Sequence, residues 1–174
     1  ALCEKIAEDV KTELSLPALT VEWVPVTLEN RFQALRDGKV NILCGADTAT
    51  LERRKDVSFS IPIFPSGIGA ILRWDAPIPL RQVLAGTRPT GPVWRGSPAQ
   101  ILNKKTFAVV KGTTGEKWLA ERMQAFKIDA SVSTADSYEL GIKSVLDGSS
   151  DVFFGDRSIL LADVAGGPSA GELV

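Results

Sequence analysis

The chain has 174 residues, 44% of them hydrophobic, with 20 Lys and Arg against 21 Asp and Glu for a net charge of −1. That length suits one domain or two small ones, the near-neutral balance gives no basis for a nucleic-acid or anionic-membrane partner, and no apolar run reaches the roughly 18 residues of a spanning helix. There is no histidine, which removes every Ser-His and Cys-His nucleophile and argues against a transition-metal site; no metal and no cofactor are expected.

In chain order, Leu2, Ile6, Val10 and Leu14 recur at four-residue spacing and predict an amphipathic helix ended by Ser15-Leu16-Pro17. "TVEWVPV" alternates as a strand does. Thr27 is placed to cap a helix buried through Phe32 and Leu35 and stopped at Asp37-Gly38. "VNILC" reads as an inner strand. A short helical turn carries Arg53, and "VSFSIPIF" alternates again with Val57, Phe59, Ile61 and Ile63 on one face. Helices alternating with strands predict an α/β fold with parallel strands.

Residues 74–105 break the pattern. They are proline-rich, carry Arg81, Arg88, Arg95, Lys104 and Lys105 beside a single Asp75, and hold Trp74 and Trp94. They read as a solvated excursion, with a partner-docking surface as the alternative. Regular structure then resumes with the strand "TFAVV", the loop "KGTTGE" and a helix burying Leu119, Met123 and Phe126. The strand "ASVS" and a helix over 136–146, packed through Ile142 and Val145, come next. They are followed by the strand "DVFFGD" and the helix "RSILLADVA", ended at Gly166-Gly167. Two α/β lobes are expected, 1–66 and 67–174, joined by a strand-like crossing near 61–70. The chain starts on a helix and ends on "GELV", a strand just beginning, so the expected fold looks cut at both ends and the first lobe lacks its first strand.

Two corners run from a strand through glycine and threonine into a helix, Cys44-Gly45-Ala46-Asp47-Thr48 and Val110-Lys111-Gly112-Thr113-Thr114. Unpaired backbone N–H groups at a helix start attract anions, although such a corner most often only caps its helix. The spacing in "KGTTGEK" does not fit a nucleotide P-loop. Arg53 strengthens the first corner because its planar fork can grip a carboxylate with two bonds. Asp156 closes "DVFFGD" where open α/β sheets place ligand contacts; it could take an ammonium group or simply cap the next helix. Cys3 and Cys44 are either two free thiols or one disulfide, the latter requiring an oxidising compartment.

"PVTLENRFQALRDGKVNILCGADTATLERRKDVSFS", "AVVKGTTGEKWL" and "VLDGSSDVFFGDRSILL" together resemble the family 3 extracellular solute-binding proteins of ABC amino-acid importers, and among them the glutamate/aspartate-binding type. The resemblance leaves 74–105 uncovered. It implies a two-lobed type II periplasmic-binding-protein fold, no catalysis, and hinge closure over a polar amino acid, acidic by the family type. It further implies export to the periplasm and the membrane subunits of an ABC importer as partner. Arg53 would hold the ligand α-carboxylate, helped by Thr48 and Ala46, with Thr113 and Thr114 closing from the second lobe. Asp156 would accept the α-ammonium and Arg31 would meet a side-chain carboxylate. Tyr138 falls where such binders have a histidine, and Leu28 where they have a serine. A sensor domain of the same fold and a dehydratase using Glu52 or Asp156 stand as alternatives.

Overall fold

The computed structural model describes residues 2–87, 98–166 and 171–174. The chain divides into two compact units, Ala1–Pro62 and Ile63–Val174.

The first unit contains helix α1 (Leu2–Glu13), helix α2 (Arg31–Arg36) and a 3-10 turn at Arg53–Lys55. The expected strands "TVEWVPV", "VNILC" and "VSFSIPIF" do not form: these segments are irregular, and the described residues of this unit contain no strand. A strand needs a ladder partner, and side-chain alternation supplies none. Many of the apolar residues that would line those strands are therefore exposed, Trp23 at 61% and Ile61 at 82%, although Val57 and Phe59 stay half-buried. α1 forms where its spacing predicts but buries no residue; Cys3 on α1 is instead bonded to Cys44, with Cα atoms 6.1 Å apart.

α2 starts later than expected. The backbone N–H of Thr27 donates to Asn30 Oδ1 at 2.8 Å, while that of Asn30 donates to Thr27 Oγ1 at 3.2 Å. This reciprocal pair satisfies donors ahead of the helix as a capping box does. Arg31 and Ala34, three apart on one face, are the buried residues, whereas Phe32 and Leu35 are only half-buried.

The second unit is a four-stranded sheet in the order β1-β4-β2-β3, comprising β1 (Ile68–Ile71), β2 (Thr106–Val110), β3 (Ser131–Ala135) and β4 (Val152–Asp156). β2 lies parallel to β3 and to β4, while β1 runs antiparallel to β4 with Ile68 opposite Asp156. Helices α3 (Ile78–Leu84), α4 (Thr114–Phe126), α5 (Tyr138–Leu146) and α6 (Arg157–Gly166) accompany the sheet. The two inner strands are nearly continuous buried runs, as expected for strands covered on both faces. Phe107 and Phe154 meet edge to face at 5.3 Å in a cluster with Leu80, Val109, Leu119 and Val152.

Three expectations are corrected here. Residues 74–105 are not only a solvated excursion: α3 and a 3-10 turn at Pro98–Leu102 send Leu80 and Leu102 into the core. Trp74 is 59% exposed, while Trp94, Arg88 and Arg95 lie outside the described residues, as does Gly167. Phe126 is exposed, because α4 ends on it and Lys127 turns left-handed at φ 52°, bringing Ile128 against the core instead. The sheet is mixed rather than parallel throughout. "GELV" does pair: the N–H of Leu72 donates to the Val174 carbonyl at 3.0 Å and that of Val174 returns the bond at 2.8 Å.

Gly141 on α5 faces the fully buried Phe153 ring so closely that any Cβ there would overlap it. Alanine is the better helix former by about 1 kcal/mol, but overpacking a rigid core costs roughly 1–3 kcal/mol. Gly141→Ala is therefore expected to lower the urea midpoint of unfolding. An unchanged or raised midpoint would show that the ring can move aside at no cost.

Candidate functional site

In the first unit the anion-binding candidates gather around the ring of Phe32. The Arg31 guanidinium lies 4.6 Å from its centroid and that of Arg53 lies 4.9 Å away. Thr50 precedes the 3-10 turn, its hydroxyl accepting the Arg53 N–H at 3.2 Å. Arg53 Nη1 then donates back to the Thr48 carbonyl at 2.9 Å, which aims the fork. Desolvation by partial burial and repulsion from Arg31 lower the Arg53 pKa, and Asp47 and Glu52 offset part of the effect. Thr48 and Ala46 are exposed in the loop.

Arg31 is not the solvated helix residue that its position on a short polar helix could suggest. It is only 5% exposed, and its Nε donates to Asp47 Oδ1 at 2.7 Å. The Asp47 carboxylate folds back toward Gly45, where a Cβ would stand 3.2 Å from Oδ2. Arg31 Nη1 is buried with no hydrogen-bond partner among the described residues. A buried donor left unmet costs about 1–3 kcal/mol, so an acceptor oxygen at that point would be stabilising. Asp47 and Phe32 are the members of this group that sequence reasoning missed as site residues. Asp47 stood in the quoted corner, but its pairing with a residue sixteen positions earlier has no local signal.

In the second unit the candidates share one edge of the sheet. β2, β3 and β4 are parallel, so their carboxyl ends lie together, and antiparallel β1 begins there. Open α/β sheets bind ligands at this edge. After β2, Gly112 takes φ +71° and its N–H donates to Glu116 Oε2 at 2.8 Å. The Thr113 hydroxyl donates to the Val110 carbonyl at 2.7 Å and accepts the Glu116 N–H at 3.4 Å. Thr113 is thus the cap of α4, and Thr114 opens that helix half-buried. Gly115 brings the helix start against β4, since a Cβ on it would lie 3.9 Å from the Gly155 Cα.

After β3, Ser137 caps α5 and Tyr138 is its first residue. The Tyr138 hydroxyl accepts the Asp156 N–H at 3.0 Å, and its ring meets Phe153 edge to face at 5.7 Å. Asp156 Oδ1 accepts the hydroxyls of Ser66 and Ser158, both at 2.6 Å, and the Ser158 N–H at 3.1 Å. The last bond is the helix-capping role that stood as the alternative for Asp156. The three bonds converge on Oδ1. Ser66 and Ser158 were missed: Ser158 follows from the Asp-x-Ser capping pattern, whereas Ser66 reaches Asp156 across ninety positions of chain. Ser66 falls in the second unit, within which this bond is made.

A shallow depression of about 260 Å³ lies at the other end of the sheet, lined by Arg73, Asp75, Leu80 and Asp151. Its arginine is already matched by its own neighbour, with bonds of 2.9 and 2.6 Å to Asp75. Among the described residues no three His, Cys, Asp or Glu come together to hold a metal, and no helix is long and apolar enough to cross a membrane.

The family model for bacterial extracellular solute-binding proteins, family 3, matches residues 2–155. The L-glutamate/L-aspartate-binding protein of Pseudomonas aeruginosa is 28% identical over 161 residues, covering 92% of this chain and 47% of that protein. The glutamate/aspartate import solute-binding protein of Escherichia coli is 26% identical over 160 residues, with the same shares covered. The chain thus spans about half the length of the curated relatives it matches. Among solved structures, a putative binding component of an ABC transporter from Wolinella succinogenes complexed with lysine superposes with a TM-score of 0.73 at 19% identity, over 99% of this chain and 63% of the other. A cysteine-binding protein from Campylobacter jejuni superposes with a TM-score of 0.70 at 21% identity, over 97% and 58%. These likenesses carry the fold, that of the type II periplasmic binding proteins.

Proposed function

Because the chain belongs to the bacterial extracellular solute-binding proteins of family 3, whose members bind solutes rather than catalyse, we propose that it is part of a protein that binds a polar amino acid and delivers it to the membrane subunits of an ABC importer. Binding residues are assigned unit by unit. In the first, Arg53 takes the α-carboxylate with Thr48 and Ala46 beside it, and Arg31 meets an oxygen of the ligand side chain. In the second, Asp156 takes the α-ammonium, with Thr113, Thr114 and Tyr138 at the same sheet edge. The observation that carries this reading is the pair of guanidiniums on Phe32, one of them with a buried, unmet donor. Glutamate and aspartate, the ligands in the names of the curated relatives, are the first to test. A periplasmic location is supported by the family and by the Cys3–Cys44 bond, which requires an oxidising environment.

The Asp156 assignment separates cleanly from its capping role. Asn caps a helix as well as Asp does, so Asp156→Asn keeps the α6 start but loses the charge that an ammonium needs. Amino-acid binding by the full-length protein is expected to fall by roughly tenfold or more. Analogues that lack the amino group should bind nearly as before. Equal losses in both sets, measured by calorimetric titration, would leave Asp156 as a cap only.

A further inference from the structure

We propose that Asp47 sets the charge this site accepts, holding Arg31 in place and steering the site toward amino acids whose polar side chain is uncharged, such as glutamine or asparagine. The inference rests on the reading of Arg53 as the α-carboxylate contact.

The preference follows from a count of the charges gathered at the Phe32 ring. Arg31 and Arg53 bring two positive charges to the Phe32 ring, and Asp47 brings one negative charge, bonded to Arg31 at 2.7 Å with its own side chain only 17% exposed. Glu52 also acts on Arg53 but is exposed to solvent and screened there, so the cluster on the ring itself carries one net positive charge, which a ligand α-carboxylate on Arg53 neutralises. A second carboxylate, from a glutamate or aspartate side chain, would leave the cluster with one net negative charge in a partly desolvated place. Like charges brought together there oppose binding.

Arg31 still has something to give. Its Nη1 is buried with no hydrogen-bond partner among the described residues, and a neutral acceptor, such as a side-chain amide carbonyl or a hydroxyl, can meet that donor without adding charge. Asp47 reaches the ligand only through Arg31, which makes it a positioning residue; its signature is a ratio of affinities rather than an affinity.

The test is calorimetric titration of the full-length protein with glutamate, aspartate, glutamine and asparagine, using the wild type, Asp47→Asn, Asp47→Ser and Arg53→Ala. The wild type is expected to bind the two amides at least about tenfold more tightly than the two acids. Asp47→Asn and Asp47→Ser should each move that ratio toward the acids by about tenfold or more. Arg53→Ala should weaken all four ligands alike. A wild type that prefers glutamate or aspartate overturns the proposal whether or not either variant folds, as does a ratio that neither Asp47 variant moves. Arg53→Ala with undiminished binding refutes the α-carboxylate contact instead, and a wild type that binds no amino acid refutes the reading of the whole site.

Discussion

Arg53→Ala is expected to weaken amino-acid binding by roughly tenfold to a hundredfold while leaving the fold intact, because a hydrogen bond to a charged partner is worth about 1.5–3 kcal/mol. The side chain is half-buried, and its Nη1 donates to the Thr48 carbonyl at 2.9 Å. Truncating it removes a donor fork without opening the packed core of the second unit. Depression of its pKa by burial and by Arg31 marks a cation held where water compensates it poorly, so an arriving carboxylate is favoured over bulk solvent. Arg53→Lys sharpens the test. Lysine keeps the charge but presents a point rather than a planar fork, so its loss should fall between wild type and alanine. Calorimetry against the preferred amino acid, with far-ultraviolet circular dichroism to verify folding, checks both. Alanine at full affinity would move the α-carboxylate elsewhere.

The second large effect is on stability. Cys3 and Cys44 close a loop with a sequence separation of 41, and cross-linking a chain over such a span restricts the unfolded state by about 4 kcal/mol in the chain-entropy account. Few other contacts can substitute for it, because α1 buries no residue and the irregular segments of the first unit form no ladder. Reduction, or replacement of both cysteines by serine, is therefore expected to lower the denaturant midpoint of the first unit. The second unit holds a packed core of its own around Phe107, Val109 and Phe154 and should be unaffected. Unfolding followed by a probe in each unit, with and without reductant, separates the two. Coincident transitions unmoved by reductant would show that the bond contributes nothing to the fold.

How much was legible depended on how local each feature is. The four-residue spacing of α1, the capping corner at Thr113, and the strands β2 and β4 were readable, because a helix, a cap or a short apolar run is decided within a few residues. The role of Asp156 as a cap was readable from its place before α6, and Arg53 stood out as a fork beside a strand-to-helix corner. The strands expected at "TVEWVPV" and "VSFSIPIF" failed for the converse reason: alternation prepares a face, but pairing requires a neighbour that the segment does not encode. The same holds for 74–105, whose irregular composition concealed that Leu80 and Leu102 complete a core assembled from residues far along the chain.

By itself, then, the sequence determined the α/β class, the exclusion of histidine chemistry, the positions of most helices and the strand-to-helix corner between β2 and α4, all of which follow from composition and short-range periodicity. Only the tertiary structure decided that Arg31 is buried against Asp47, that two guanidiniums share the Phe32 ring, and that Ser66, Tyr138 and Asp156 meet at one edge of the sheet. The physical reason is range. Backbone hydrogen bonds within a helix span four positions, whereas the Arg31–Asp47 pair and the Ser66–Asp156 bond join residues sixteen and ninety positions apart, and no local pattern carries that information.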